Sequence, residues 1–469
     1  MGRLLLSPSA RPARRVRIAA EIAVGDDGGV TLRGRGTRVA ALGRVPDERR
    51  ALLDAFVADD GVADAELDVL LAAPQDRYFV GVLARRGFLT VDLVDGDDVV
   101  ATIAVPDLPD EPTLVPARVA LSPHVLIRTD DGVLVLESSI DASRRDEISG
   151  AFAGALLTLA APKPAATSGL PAAWAEPLVR SGILVDADRE PVPAVDPVTR
   201  WDFHDQLLHS RSRLWCGAAR PYGATYRLRG GMDPLPARSL PAWAPGPAID
   251  LPIPDLASRT HTDPGLTAVM EARRSRRDFG PLDVDQLGEL LFRVARARGV
   301  RPHASGDEID KPVPAGGALH ELELYPLVVA CRGIDPGLYH YEPFDHELHR
   351  VDGCADEIAS ALAGVARDTA MLAADAPLGV CLLIAARFGR LQFKYSSMAY
   401  AAVLKNVGVL YEALYLVAEA MGLAACALGG GDTGLFARAT GADPWDEGSV
   451  GEFLVGARAE EGEQEGRHG

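Results

Sequence analysis

A basic segment and a glycine segment of this sequence have the composition of a phosphate site. Residues 273–277 read Arg-Arg-Ser-Arg-Arg, and guanidinium groups make bidentate, charge-assisted bonds to phosphate oxygens. Residues 429–432 read Gly-Gly-Gly-Asp and follow a predicted strand over 424–428, so their backbone N–H groups can hold an anion. The basic segment alone is more often an exposed charged run, so its interpretation depends on the residues that accompany it.

Two further segments offer acid–base chemistry and room for a planar ligand. Lys394 and Tyr395 are adjacent just ahead of a predicted helix, and a neighbouring cation favours the ionised phenol that general-base catalysis uses. Residues 314–317 read Pro-Ala-Gly-Gly, and a Gly-Gly pair lets the backbone approach a planar ligand closely. The alternatives are a solvated surface pair and an ordinary loop.

The cysteines and histidines do not form a pattern typical of a metal site. The chain has five cysteines and none belongs to a C-x-x-C pair, which argues against a disulfide framework and against zinc or iron–sulfur clusters. His340, His346 and His349 fall on a predicted hairpin, where solvated histidines are favoured over a metal site. We therefore predict no bound metal.

Length and charge restrict the class of protein. A chain of 469 residues is too long for one ordinary core, so two to four domains are expected. The net charge of -18 disfavours nucleic-acid binding, because phosphate contacts need clustered Lys and Arg. The apolar run at the N-terminus is too short for a signal peptide, and no transmembrane helix is predicted. We expect a soluble, cytoplasmic protein.

The elements that must position these residues form a regular α/β pattern over 259–458. A predicted helix over 266–273 ends at the basic segment. Another, over 398–421, is apolar on nearly every face, which predicts that it is buried in the interface of a homodimer. Residues 199–258 are dense in Pro and Gly and are predicted to be an extended connector. The polar tail at 459–469 is predicted to be disordered.

The chain ahead of this connector contains a weak internal repeat. Residues 1–110 and 111–198 each combine hairpins with short helices, the second with a helix predicted over 145–160. The segment at 178–184 (Leu-Val-Arg-Ser-Gly-Ile-Leu) resembles the one at 83–89 (Leu-Ala-Arg-Arg-Gly-Phe-Leu). We interpret the two halves as small winged-helix-like modules. A basic recognition helix is missing, so peptide binding at a hairpin edge is favoured over DNA binding.

The four segments with chemical potential are those at 273–277, 314–317, 394–395 and 429–432. Taken in their order along the chain, they resemble the SagB-type dehydrogenases, a branch of the FMN-dependent nitroreductase fold. The similarity extends over about residues 260–458. It includes a hairpin at 333–341 (Gly-Ile-Asp-Pro-Gly-Leu-Tyr-His-Tyr) and an ending at 422–430 (Gly-Leu-Ala-Ala-Cys-Ala-Leu-Gly-Gly). Residues 201–213 and 223–226 resemble the family's connector. The resemblance implies an α+β fold in which an FMN-binding domain with an antiparallel or mixed central sheet and helices follows the two winged-helix-like modules.

The resemblance also implies roles for individual residues. The cofactor-binding positions are Arg273, Ser275, Arg277, Pro314, Gly316, Gly317, Gly429 and Gly430. The first three match the family's Arg-x-Ser-x-Arg pattern, which holds the flavin phosphate. The loop at 314–317 faces the flavin ring in the family, although Ala315 stands where the family usually has Ser. The family's catalytic pair falls on Lys394 and Tyr395.

The activity implied by the resemblance is oxidation of a ring in a modified peptide. SagB-type enzymes use FMN to convert thiazolines or oxazolines to thiazoles or oxazoles in ribosomally synthesised peptides. The implied partners are an azoline-containing precursor peptide and cyclodehydratase proteins. The alternatives are a flavin reductase of small nitro compounds or quinones, and a non-catalytic scaffold that binds a leader peptide.

Overall fold

The computed structural model describes residues 13–26, 28–34, 39–57, 61–104, 113–141, 144–190, 192, 194–213, 222–238, 247–303 and 306–458. Its contacts divide the chain into two compact units, Met1–Tyr222 and Gly223–Gly469. The predicted tail at 459–469 lies outside the described residues, as do residues 214–221 and 239–246 of the predicted connector.

The first unit combines antiparallel sheets with short helices. Its strands are β1 Ala13–Ile18, β2 Ala20–Val24, β3 Gly29–Gly34, β4 Val39–Arg44, β5 Val62–Ala63, β6 Leu89–Asp95, β7 Asp98–Ala104, β8 Arg118–Leu121, β9 Val125–Asp130, β10 Val133–Ser138, β11 Arg145–Ile148, β12 Lys163–Pro164 and β13 Leu184–Asp186. Its helices are α1 Asp47–Val57, α2 Asp64–Leu70, α3 Pro74–Arg85, α4 Gly150–Leu157, α5 Ala172–Arg180 and α6 Phe203–Arg211, with a 3-10 turn at Ala165–Thr167. One apolar core, which includes Phe56, Phe152 and Trp174, joins the elements of both halves.

The two halves of this unit repeat one order of elements. β1 pairs antiparallel with β5 and β6, and β8 pairs antiparallel with β12 and β13. The corners between helix and strand also match. The Phe88 N–H donates to the Leu83 carbonyl at 3.0 Å, and the Ile183 N–H donates to the Leu178 carbonyl at 2.9 Å. The repeat suggested by the sequence is therefore present in the topology, while the winged-helix interpretation stays a prediction.

The second half differs from its prediction at the start of its first helix. Residues 145–148, predicted to be helical, form β11, because they alternate between half-exposed and buried as a strand requires. Helix α4 begins after Ser149, whose hydroxyl accepts a hydrogen bond from the Phe152 N–H at 3.2 Å. β11 pairs with β7, so a seven-stranded sheet continues through both halves.

Part of the predicted extended connector is helical. Helix α6 is fixed to the first unit by side chains on one face. The Ser210 hydroxyl donates to the Ser139 carbonyl at 2.8 Å, and the Ser139 hydroxyl donates to Gln206 Oε1 at 2.6 Å. These hydrogen bonds hold the polar helix against the first unit. Its sequence has little apolar periodicity, so neither the helix nor these contacts could be predicted from it.

The second unit is built around one large sheet. Its strands are β14 Ala248–Asp250, β15 Phe279–Gly280, β16 Leu282–Asp283, β17 Gly299–Arg301, β18 Glu308–Asp310, β19 Leu322–Val328, β20 Cys331–Arg332, β21 Gly337–Glu342, β22 Glu347–Arg350, β23 Val380–Arg387, β24 Leu423–Leu428 and β25 Glu447–Arg458. Its helices are α7 Leu256–Thr262, α8 Leu266–Ala272, α9 Val284–Ala295, α10 Asp356–Thr369, α11 Phe388–Lys394, α12 Ala399–Ala420 and α13 Thr433–Thr440, with a 3-10 turn at Gly316–Ala318.

Helices cover both faces of the large sheet. Its order is β14-β22-β21-β19-β23-β25-β15, with β24 also paired to β25, and these pairs are antiparallel. Alternate residues of β23 belong to two apolar cores. Leu382 and Ile384 pack with α9 and α12, whereas Cys381 and Leu383 pack with α10 and α13. This confirms the predicted α+β domain with an antiparallel sheet between helices.

Helix α12 has one buried face and, around it, several exposed apolar side chains. Its buried face includes Leu410 and Leu414, as the apolar spacing predicts. Tyr400, Leu404 and Val409, however, are 48%, 40% and 37% exposed. Among the described residues α12 is also the one helix long and apolar enough to cross a membrane by length and composition, a test that core helices of soluble proteins pass as well.

Candidate active site

The glycine loop at 314–317 lies directly against Lys394 and Tyr395. Gly317 has a left-handed backbone with φ 64°. A Cβ atom at this position would lie 2.7 Å from the Tyr395 hydroxyl and 2.9 Å from Lys394 Nζ. Ala318 and His320 are also left-handed, with φ 54° and 47°. Two such residues that are not glycine indicate backbone strain, which clusters at functional sites.

A buried amide holds this loop in place. The Gly316 N–H donates to Asn406 Oδ1 at 3.3 Å, and Asn406 Nδ2 donates to Glu321 Oε1 at 2.8 Å. The Glu321 side chain is fully buried, and burial raises the pKa of its carboxyl. The sequence analysis missed Asn406, although a polar residue within the apolar face of a predicted helix is a signal that could have identified it.

The segment that carries Lys394 and Tyr395 is fixed by residues from the end of the predicted connector. The Tyr226 N–H donates to the Lys394 carbonyl at 3.2 Å, and the Ser396 N–H donates to the Gly223 carbonyl at 3.0 Å. The Thr225 and Ser396 hydroxyls are hydrogen-bonded. Both side chains of the pair remain half-buried, so the phenol and the ammonium group are partly accessible beside the glycine loop.

The basic segment lies at the other end of α12, around Tyr415. The Arg273 guanidinium is 5.2 Å from the centre of the Tyr415 ring, and the Ser275 hydroxyl is 3.0 Å from the Tyr415 hydroxyl. That hydroxyl also accepts from the Ala427 N–H at 2.7 Å. Arg277 is exposed, and within the described residues its guanidinium makes no hydrogen bond or ion pair. The basic segment therefore contacts β24, the strand that leads to Gly429.

The glycine loop after β24 forms one wall of an open cavity of about 420 Å³ beside α12. Leu404 and Gly408 of α12 line this cavity together with Glu452. A Cβ atom on Gly431 would overlap the Glu452 carboxyl, so a larger residue there would displace the Glu452 side chain. Burial raises the pKa of Glu452.

The comparisons with known proteins match part of the second unit to one family. Residues 271–457 match the model of the nitroreductase family. A protein of Methanocaldococcus jannaschii described as a nitroreductase is 30% identical over 186 residues, which cover 39% of this chain and 85% of that protein.

The chain belongs to the nitroreductase family.

Further proteins similar to this nitroreductase-family chain are a trifolitoxin-processing protein and a microcin synthetase complex, together with another nitroreductase structure. The trifolitoxin-processing protein TfxB of Rhizobium leguminosarum bv. trifolii is 30% identical over 148 residues, which cover 30% of this chain and 38% of TfxB. The solved E. coli microcin synthetase McbBCD complex with truncated pro-MccB17 bound is 18% identical, with a TM-score of 0.34, and the match covers 58% of this chain and 100% of that chain. A Desulfovibrio desulfuricans protein described as a nitroreductase in complex with FMN is 13% identical, with a TM-score of 0.26, and the match covers 42% and 89% of the two chains.

The predicted site residues of the nitroreductase domain fall into two groups. The first contains Arg273, Ser275 and the loop at 429–431, and the second contains the loop at 314–317 with Lys394 and Tyr395. Both groups contact α12. Ser275 is hydrogen-bonded to Tyr415, whereas Gly316 is held by Asn406, which lies about 14 Å earlier along the helix at a rise of 1.5 Å per residue. The loop at 429–431 shares a cavity with Leu404 and Gly408 of α12, so it lies at the same height along the helix as Asn406.

Buried charged side chains lie behind the second group and were not predicted. Glu323 Oε2 is 3.1 Å from His340 Nε2, and Arg387 donates to Glu323 Oε1 at 3.4 Å. The Tyr325 hydroxyl donates to Glu447 Oε1 at 2.7 Å. Burial, together with the nearby Glu323 carboxylate, raises the pKa of Glu447 to about 7. These residues form a polar layer inside the domain.

Two of the three hairpin histidines are buried, in contrast to the prediction that they are solvated. His340 and His346 are 1% and 4% exposed, so the prediction that they are solvated is wrong. His346 Nδ1 is 2.9 Å from the Tyr341 hydroxyl. The hairpin β21–β22 itself forms as predicted, but it packs into the sheet and takes its histidines into the core, where they have structural partners.

Proposed function

We propose that this protein is an FMN-dependent dehydrogenase that oxidises thiazoline or oxazoline rings to thiazoles or oxazoles in a ribosomally synthesised peptide. The observation that carries the proposal is the packing of the Tyr395 hydroxyl and Lys394 Nζ against the backbone of Gly317. A planar ring beside this loop is within reach of a base. The 30% identity to a trifolitoxin-processing protein supports a peptide as the substrate.

The residues present fit FMN as the cofactor. Arg273, Ser275 and the unpaired Arg277 offer two guanidinium groups and a hydroxyl to the phosphate, and charge-assisted bonds of this kind are strong. The cavity beside Gly429 and Gly430 has the open wall that a flavin ring needs.

A homodimer would combine the two groups of site residues. Arg273 and Ser275 lie beside Tyr415, towards the C-terminal end of α12, whereas Lys394 and Tyr395 precede its first turn. The helix also exposes the apolar side chains of Tyr400, Leu404 and Val409. If two copies of α12 pack antiparallel about a twofold axis, the phosphate-binding residues of one copy lie beside the catalytic pair of its partner. Each flavin would then be held by both copies, and the exposed apolar side chains would be covered.

Aromatising an azoline removes two electrons and two protons from the ring. FMN, when bound, would supply the acceptor for a hydride from one ring carbon, with dioxygen as the terminal oxidant. The protein removes the proton from the other carbon, and Tyr395 is the base, with Lys394 stabilising the phenolate. Gly317 lets the phenol oxygen pack against the loop, and Asn406 holds that loop through the Gly316 N–H.

The rest of the chain provides for recognition of the peptide. The first unit contributes the predicted winged-helix-like modules, which bind a precursor peptide or a cyclodehydratase partner. A flavin reductase of small nitro compounds, the main alternative, does not need such modules.

Anaerobic mixing tests the proposal. Purified protein that contains FMN should lose its flavin absorbance on addition of an azoline peptide and regain it in air. Bleaching by NADPH and reoxidation by a nitro compound, with no response to the azoline peptide, would establish the alternative reductase activity.

A further inference from the structure

The two repeats of the first unit differ in one segment, which is a helix in the first repeat and a short 3-10 turn in the second. In the first repeat, α2 fills the space between β5 and α3, and Leu71 at its end is buried. In the second repeat the corresponding segment between β12 and α5 is shorter and contains only the 3-10 turn Ala165–Thr167. A cavity of about 300 Å³ lies beside this turn, and its lining includes Ser168, Gly169 and Leu170 of the shortened segment.

The inner wall of this cavity is apolar. It is formed by Phe152 and Ala155 of α4, by Trp174 of α5 and by Val100 of β7. The Phe152 and Trp174 rings pack edge to face, with centres 5.8 Å apart, so this wall is rigid. Pockets of about 300 Å³ are at the small end of the range for organic ligands, which is room for one or two side chains.

The cavity also carries polar groups that the protein itself leaves unpaired. Lys163 lines it, and within the described residues its ammonium group has no ion pair or hydrogen bond. The chain contains only four lysines, at 163, 311, 394 and 405. Trp174 is 2% exposed, and its indole N–H has no acceptor among the described residues. The Lys163 ammonium group and the apolar wall line the same cavity. This combination is complementary to a ligand that carries an apolar group next to an anionic group.

We propose that this cavity binds an apolar side chain of the precursor peptide together with a carboxylate that follows it. The apolar side chain packs against Phe152 and Trp174, and the carboxylate pairs with Lys163. The choice of a peptide rests on the proposed function, whereas the preference for an apolar anion follows from the cavity alone. The site is separate from the flavin residues, all of which belong to the second unit.

Fluorescence of 8-anilinonaphthalene-1-sulfonate, an aromatic anion, tests the cavity in the full-length holoprotein. Lys163→Met should weaken binding of this probe roughly tenfold, because a charge-assisted contact is lost. Ala155→Leu should abolish the same binding by filling the cavity. Arg200→Met removes an exposed charge of the same unit that does not line the cavity, and should leave binding unchanged. Circular dichroism and flavin content check that each variant is folded.

Competition identifies the occupant. N-acetyl-Phe-Asp-amide should displace the probe at lower concentration than N-acetyl-Phe-Asn-amide, and Lys163→Met should remove that difference. Equal probe binding by the wild type, Lys163→Met and Ala155→Leu would overturn the proposal, as would equal displacement by the two dipeptides. Turnover of a short azoline peptide without flanking residues reports the proposed function separately, and both variants should retain it.

Discussion

A Cβ atom on Gly317 would lie 2.7 Å from the hydroxyl of Tyr395, nearer than two unbonded atoms of this kind approach each other. The glycine therefore lets the phenol and the ammonium group of Lys394 pack directly against the backbone of the loop. Gly316, next to it, is different, because a Cβ atom there would meet its nearest neighbour, Asn406 Nδ2, at 3.8 Å. The two glycines thus form a matched pair for experiment.

Gly317→Ala should reduce ring oxidation strongly and lower stability. The methyl group would displace Tyr395 or Lys394, and a left-handed backbone costs a residue other than glycine about 1–2 kcal/mol. Gly316→Ala should change both properties little. Steady-state kinetics and thermal denaturation of both variants measure the difference. Equal activity of the two would show that Gly317 does not face the reacting ring.

Tyr395→Phe should keep the fold and the bound flavin but slow ring oxidation by a factor of about a hundred to ten thousand, the usual range for general-base catalysis. Lys394→Ala should act similarly. The double variant should be little slower than either single variant, because residues that act as a unit are not additive. Rates that multiply in the double variant would show that the two side chains act independently.

Arg277→Ala should weaken retention of FMN by about 1.5–3 kcal/mol, the contribution of a hydrogen bond to a charged group. Arg274→Ala provides the control, because it removes the same charge from a neighbouring exposed position outside the Arg-x-Ser-x-Arg pattern. Flavin released during dialysis measures retention. Equal loss from both variants would mean that only the net charge of the segment matters.

Val409→Glu should dissociate the proposed dimer, because it replaces an exposed apolar side chain of α12 with a charged one. Val195→Glu alters a valine of similar character that is 71% exposed in the first unit, and it should leave the dimer intact. Sedimentation velocity at micromolar concentration distinguishes the two. A wild-type protein that is monomeric with flavin still bound would contradict the dimer.

Glu447 makes stability depend on pH. Burial and the Glu323 carboxylate raise its pKa to about 7 in the folded protein, above the ordinary glutamate value of 4.5, so the unfolded chain releases this proton first. Its contribution to stability is therefore complete below about pH 4.5 and is lost as pH rises towards 7, by about 3 kcal/mol.

Glu447→Gln keeps an acceptor for the Tyr325 hydroxyl but does not titrate. Urea midpoints measured for the wild type and this variant at pH 5 and pH 7.5 should show a smaller decrease for the variant. Parallel decreases would show that Glu447 is ionised in the folded protein.

The sequence was most informative where local pattern decides structure. Helix α12 was predicted over 398–421 and is found at Ala399–Ala420, because its apolar spacing is long and regular. The hairpin β21–β22 follows from the turn residues between two apolar runs. The close contact between Gly317 and Lys394-Tyr395 could be expected only through family resemblance, since the two segments are far apart in the chain.

The polar layer behind the site could not be predicted for the same reason. Glu321 and Glu323 look like the solvent side of an alternating strand, but their partners, Asn406 and Arg387, lie 85 and 64 residues away. Likewise, strand β11 was mistaken for helix because its burial pattern depends on pairing with β7 and β10. Tertiary contacts override local preference at such positions.

The mass of the product tests the central claim most directly. An azoline peptide incubated in air with the FMN-containing protein should lose two mass units for each ring oxidised, and Tyr395→Phe should slow that loss at unchanged flavin content. An azoline peptide that keeps its mass with the flavin-loaded wild type, while the same preparation reduces a small nitro compound, would contradict the account.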